Sequence, residues 1–217
     1  MEKNKILADT FKWLFIGLLV CFGVSYFSTM NENIMYSVYG SFNGFGYIIF
    51  LIAEIVIAII LSGFIKKIKP IVAKTLYIAY TALTGLSISG IFIVYTGSSI
   101  AYIFLATSII FGIFAFIGKT TNIDLSKWGL YLIVALIAVL ILEIINIFLA
   151  NHTLNMLLCI ISILVFCGYV AYDIRIALEK SLLLDNDNKG IYCAFQLFID
   201  FINIFLDLLR LFGKHND

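Results

Sequence analysis

Asp200 lies in the middle of an apolar run, 191–212 (IYCAFQLFIDFINIFLDLLRLF), long enough to cross a bilayer. A carboxylate at that depth costs about 2.5–3.5 kcal/mol on insertion scales, so a chain that keeps one there uses it. The preceding apolar run offers a partner, Asp173, near its end. Two carboxylates on consecutive helices suggest a proton-sharing site. If they come close, both cannot ionise cheaply, and one proton is held between them. Arg175, two residues from Asp173, points elsewhere on a helix and marks the membrane edge.

Asp200 is not the sole polar residue of its run. Gln196, Asp200, Asn203, Asp207 and Arg210 follow one another at spacings of 4, 3, 4 and 3. At about 100° per residue they fall within about 80° of one another, so the helix presents one polar stripe to something other than lipid. Such a stripe could be an interhelical hydrogen-bond seam alone; the reading adopted is a water- or ion-accessible path that has the seam as its wall. Glu143 and Asn146 could line an outer vestibule, and Glu54 sits near the middle of its own apolar segment. Tyr80, Thr84 and Ser87 share a helix face where Gly85 and Gly90 permit close packing, and there hydroxyls serve as packing glue.

These residues need a membrane bundle to position them. Of 217 residues, 63% are hydrophobic and 12% charged, and the mean hydropathy is +1.09. A soluble domain is about 45–50% apolar and about 25% charged. Seven segments can serve as spans: 11–28, 44–65, 71–95, 98–118, 128–149, 154–178 and 191–212. Short loops and a single proline imply one polytopic domain over 1–217, an all-α bundle of seven transmembrane helices. No internal repeat supports an inverted-repeat transporter. The first segment reads as a retained helix rather than a cleaved signal, because the small-residue cleavage pattern is poor.

Lysine and arginine set the orientation. Lys3, Lys5, Lys12, Lys66, Lys67, Lys69, Lys74, Lys119, Lys127, Arg175, Lys180 and Lys189 lie on one side; the opposite loops 29–43, 96–97 and 150–153 carry none. The N-terminus is therefore expected in the cytoplasm. Arg210 and Lys214 follow the last segment. A re-entrant seventh segment would put them inside; full crossing, preferred for its length, puts them outside.

Several chemistries are disfavoured. The two histidines, His152 and His215, lie in a loop and at the tail, too few for a metal-dependent hydrolase. No lysine inside the last segment could carry retinal. The stretch 185–190 (DNDNKG) begins like a calcium loop but has Lys189 at the fifth ligand position and Gln196 at the twelfth. An intramembrane aspartyl protease would match Tyr172-Asp173, yet Leu197-Phe198-Ile199 replaces the Gly-x-Gly expected before its second aspartate. Cys21, Cys159, Cys167 and Cys193 lie in apolar segments without CxxC spacing and read as core residues. No basic face with interleaved aromatics points to nucleic acid. The expectation is a protein that is not an enzyme and holds no tightly bound cofactor.

The stretch 197–213 (LFIDFINIFLDLLRLFG), Tyr172-Asp173 and 82–89 (ALTGLSIS), together with the seven-segment layout, resemble the Bax inhibitor-1 family, the transmembrane Bax-inhibitor-motif proteins. The resemblance covers nearly the whole chain. It implies a bundle with a central seventh helix. Bacterial members are pH-sensitive calcium leak channels whose paired aspartates match Asp173 and Asp200, and in which acid favours opening. Eukaryotic members act in endoplasmic-reticulum calcium homeostasis and suppress cell death; some bacterial members modulate a membrane-bound ATP-dependent protease. The implied function is a calcium leak through a bacterial inner membrane, with Asp173 and Asp200 as pH-sensing gate and calcium contact. Gln196, Asn203, Asp207, Arg210, Glu54, Glu143 and Asn146 would line or support the path. The alternative is a non-conducting regulator that binds a membrane protease or another partner. Two positions depart from the family pattern. Ile65 stands where relatives carry an arginine that reaches the dyad, with Lys66 and Lys67 just beyond, and Asp207 stands where relatives carry a less charged residue.

Overall fold

The computed structural model describes residues 2–40, 45–65, 67–121, 123–125, 127–180 and 188–216. The chain is helical almost throughout, with no strand among the described residues. The helices are α1 (Glu2–Thr29), α2 (Glu32–Met35), α3 (Phe45–Gly63), α4 (Pro70–Ser87), α5 (Ile91–Val94), α6 (Gly97–Thr120), α7 (Trp128–Leu149), α8 (His152–Lys180) and α9 (Lys189–Phe212). A π-helical segment, Tyr36–Gly40, follows α2. Among the described residues six helical stretches have the length and apolarity to cross a membrane: α1, α4 with α5, α6, α7, α8 and α9. The seventh apolar helix, α3, is shorter over Ile48–Gly63. Backbone groups surrounded by hydrocarbon must be satisfied within the segment, which is why apolar spans become helices.

The expected third segment, 71–95, is interrupted. It turns at Ile88–Gly90 between α4 and α5. Ser89 Oγ donates to the Leu86 carbonyl (2.7 Å), a local bond that competes with the helical ladder. Tyr39, from the π-helical segment, donates to the Ser87 carbonyl (2.9 Å) and accepts from the Gly90 N–H (3.0 Å). The expected loop 29–43 thus contains structure of its own that satisfies the break.

Two compact units make up the chain. The first comprises 1–96, 181–198 and 215–217; the second comprises 97–180 and 199–214. In the first unit α4 packs against α1 and α3. Gly85 lets α4 approach α1 closely, since a Cβ there would collide with the Cys21 carbonyl. Tyr77 donates to the Trp13 carbonyl (2.9 Å), and the ammonium groups of Lys12 and Lys74 sit 5.9 and 5.7 Å from the Trp13 ring, as long basic side chains at a membrane edge do. In the second unit α8 packs against α6 and α7. A Cβ at Gly118 would collide with the Ala171 carbonyl, which fixes the closest approach of α6 to α8.

Helix α9 is the most enclosed of these spans: along its 18-residue apolar stretch 72% of the residues are buried, against 44% for that of α8 and 17% for that of α7. Its residues Lys189–Phe198 belong to the first unit and Ile199–Phe212 to the second. In the first unit Phe195 and Phe198 pack edge-on against Tyr80 at 5.0 and 5.9 Å; in the second, Phe201 packs against Phe104 and Phe111 at 5.3 and 5.6 Å.

Candidate functional site

Asp173 on α8 and Asp200 on α9 both belong to the second unit, and the structure brings them together. Their carboxyl groups lie within hydrogen-bonding reach of each other. Asp200 is buried, 3% exposed, and its Oδ2 has no hydrogen-bond partner among the described residues. An ionised carboxylate is an acceptor only, so two carboxyls can bond directly only when one carries a proton. Cys167 and Tyr169 of α8 are the electrostatic neighbours of Asp200, and Tyr169 and Tyr172 those of Asp173. The aromatic cluster of Phe201 with Phe104 and Phe111 packs beside the adjoining turn of α9.

The remaining stripe residues have separate surroundings. Gln196 is half-buried in the first unit. Asn203 is half-buried and donates to the Ile199 carbonyl of its own helix (2.8 Å). Asp207 is buried and accepts from Arg210 Nη1 at 3.1 Å. Ser162 and Cys159 of α8 also hydrogen-bond to Asp207. Arg210 additionally faces Glu143 Oε1 of α7 at 3.8 Å. Asp207, Arg210 and Glu143 thus form one ion-pair cluster joining α9 to α7, with α8 held through Asp207.

Asn146 has a local task. Its Oδ1 accepts from the Asn151 N–H (3.2 Å) and its carbonyl accepts from the Ala150 N–H (2.8 Å). It closes the α7–α8 turn, where Ala150 takes a left-handed φ of 49°. Glu54 belongs to the first unit and accepts from Thr84 Oγ1 (3.2 Å) and from Ser87 Oγ. The hydroxyls expected as glue on α4 fasten α3 through that carboxylate. Arg175 donates to the Thr121 carbonyl (3.0 Å), at the C-terminal end of α6 where a cation is favoured.

At the position where an arginine was expected, Ile65 is buried, and its main-chain carbonyl accepts from the Asn188 side chain. Lys67 lies over the Phe64 ring at 5.7 Å; Lys66 and residues 185–187 of the calcium-like stretch lie outside the described residues. Ser162 and Tyr39 were not singled out from the sequence, Cys159 was read there only as a core residue, and Asn188 was met only within the calcium-like stretch. Asn188 alone carried a readable signal, being an asparagine placed just before an apolar helix. Among the described residues no three His, Cys, Asp or Glu side chains gather as a metal cage. Asp173 and Asp200 together could offer a passing cation four carboxyl oxygens.

Residues 3–217 match the model of the family described as Inhibitor of apoptosis-promoting Bax1. The chain is 35% identical to the inner membrane protein YbhL of Escherichia coli over 96% of its own length and 91% of that relative. It is 32% identical to an uncharacterised protein of Borreliella burgdorferi, covering 99% of this chain and 94% of the relative. It is 31% identical to the protein RP147 of Rickettsia prowazekii, covering 99% and 91%. With this match over nearly its entire length and with its apolar helices, the chain belongs to the Bax inhibitor-1 family of multi-pass membrane proteins.

Proposed function

We propose that the protein is a pH-sensitive calcium leak channel, without enzymatic activity, in which the Asp173–Asp200 pair is the gate. The observation that carries this reading is the contact of the two carboxyls at a buried point of the most enclosed span, with one Asp200 oxygen left without a partner among the described residues. With one shared proton the pair binds α8 to α9. Changing its proton count makes or breaks that bond and shifts a closed–open equilibrium. Acid favours the open state, as in the bacterial members the chain resembles. Calcium is the permeant ion and no cofactor is held. The N-terminus faces the cytoplasm, in keeping with the lysine-rich loops, and the membrane is the bacterial inner membrane, as the name of the Escherichia coli relative suggests for that protein.

The test is calcium flux into proteoliposomes across pH, for the wild type and for Asp200→Asn. The expected result is a pH-dependent flux in the wild type and a flattened profile in the variant, whose amide bonds to Asp173 without needing a proton. An unchanged profile in the variant rejects the dyad as gate. Absence of flux at every pH rejects the channel and favours the non-conducting regulator, whose signature is co-purification of a membrane protease or another membrane partner.

A further inference from the structure

Trp13 of α1 is the meeting point of two positive charges. The ammonium groups of Lys12 and Lys74 lie 5.9 and 5.7 Å from the centre of its ring. Lys12 comes from α1 and Lys74 from α4, so helix packing assembles the pair. The aromatic platform is held in place. The Tyr77 hydroxyl donates to the Trp13 carbonyl (2.9 Å), and the Tyr77 ring meets the indole edge-on, with 6.3 Å between centroids. Gly17 leaves room for that hydroxyl, since a Cβ there would strike it. Two like charges over one ring repel each other. Among the described residues neither ammonium is paired with a carboxylate. Asp9, one turn before Lys12, has its carboxylate against Gly190 at the start of α9 instead. The half-buried Trp13 has an indole N–H that donates to nothing among the described residues. The cluster thus offers three donors and no carboxylate. Further along the span the surface is apolar: Phe15 and Leu19 follow Lys12 on its face of α1 and are 63% and 58% exposed. All these residues lie in the first unit.

We propose that Lys12, Lys74 and Trp13 form a binding site for the phosphate of an anionic phospholipid of the surrounding bilayer. A lipid phosphodiester carries one negative charge and only acceptor oxygens, which complements two ammonium groups and an indole N–H. Seated between the lysines, it offsets their repulsion while both keep their contact with the ring. Basic pockets between transmembrane helices hold such headgroups. The apolar face favours a membrane lipid over a soluble phosphate. A phosphate held at Trp13 lays its acyl chains along Phe15 and Leu19, and burial of that hydrocarbon is a contribution inorganic phosphate cannot make. A zwitterionic lipid brings an ammonium of its own, which the two lysines repel, so the site selects a headgroup of net negative charge. Nothing in this site depends on calcium passage or on the Asp173–Asp200 pair.

The test uses the full-length protein in phosphatidylcholine bilayers, with Trp128→Phe so that Trp13 is the remaining tryptophan of the two in the chain. Brominated phosphatidylglycerol, which quenches a tryptophan it touches, is compared with brominated phosphatidylcholine, and the quenching of Trp13 gives their relative affinity. Each lysine near an anionic headgroup should contribute about fivefold, so the parent should prefer phosphatidylglycerol by roughly 25-fold. Lys12→Gln and Lys74→Gln should each lower that preference about fivefold, and the double variant should nearly abolish it. Lys12→Arg/Lys74→Arg should retain it, and Lys119→Gln, at an exposed position of α6, should leave it unchanged. Equal quenching by the two lipids in the parent overturns the site. A preference that survives in the double glutamine variant also overturns it and leaves the lysines as ordinary membrane-edge charges. Inorganic phosphate at millimolar concentration should not relieve the quenching; displacement of the lipid by it overturns the lipid assignment in favour of a soluble anion. Should the double variant fold poorly, the parent decides by its salt response: the preference should fall as ionic strength rises, and a salt-independent preference overturns the site.

Discussion

Replacing Arg210 by glutamine should be far more damaging than removing its more distant partner, although Arg210 is half-exposed. Arg210 Nη1 stands 3.1 Å from Asp207 Oδ1 and 3.8 Å from Glu143 Oε1, and the two carboxylate side chains are 5% and 33% exposed. Asp207 cannot recover its hydration when the guanidinium leaves. Loss of one partner of a buried pair costs about 3–5 kcal/mol. The arginine side chain is 48% exposed, and Ser162 and Cys159 still bond to Asp207, so a lower figure, about 2–3 kcal/mol, is the appropriate expectation. At about 2–4 °C per kcal/mol for a chain of this size, Arg210→Gln should lower the Tm by roughly 4–12 °C. Glu143→Gln removes a longer, solvent-screened contact and should cost under about 1 kcal/mol. The double variant Arg210→Gln/Asp207→Asn leaves no unpaired buried charge in this cluster and should regain most of the loss. The assay is thermal unfolding in detergent at neutral pH for the three single variants and the pair, read as a double-mutant cycle. A cost for Arg210→Gln no greater than that for Glu143→Gln, or failure of Asp207→Asn to rescue it, would refute the buried-charge penalty.

Two further substitutions probe packing and backbone. Gly118→Ala pushes a Cβ into the Ala171 carbonyl and should cost about 1–3 kcal/mol by forcing α6 from α8, whereas Gly112→Ala on the same helix meets nothing within 4 Å and should be neutral or gain up to about 1 kcal/mol from helix propensity; the difference is read from paired melting curves. Ala150→Gly, at φ 49°, should stabilise by about 0.5–1 kcal/mol by relieving a left-handed alanine, seen as a small rise in Tm, and a fall would show that the turn carries no such strain.

Much of the molecule was legible in the order of its residues. Hydrocarbon forces an apolar run to satisfy its own backbone, so run lengths alone delimited most of the helices, including α7, which matches the expected 128–149. The polar stripe on α9 was legible because helical periodicity is local, and Asp173 was found because it lies near the end of the span before Asp200. The motif 197–213 and Tyr172-Asp173 carried the family. Tertiary structure decided what each polar group does. Asp173 and Asp200 meet, while the other stripe members part ways: Asn203 bonds its own helix and Asp207 pairs with Arg210. Asn146 closes a turn and Glu54 takes the hydroxyls of Thr84 and Ser87. The break after Ser87 was hidden because its stabilising partner, Tyr39, is remote in sequence. For the same reason the sequence showed only that a basic residue was missing at Ile65; the bond from Asn188 to the Ile65 carbonyl involves a backbone atom, which no residue type announces. Helical periodicity and hydrophobic length are properties of neighbouring residues and can be read in order along the chain, whereas the pairing of buried polar groups depends on which distant atoms the packed helices leave within about 3 Å of each other.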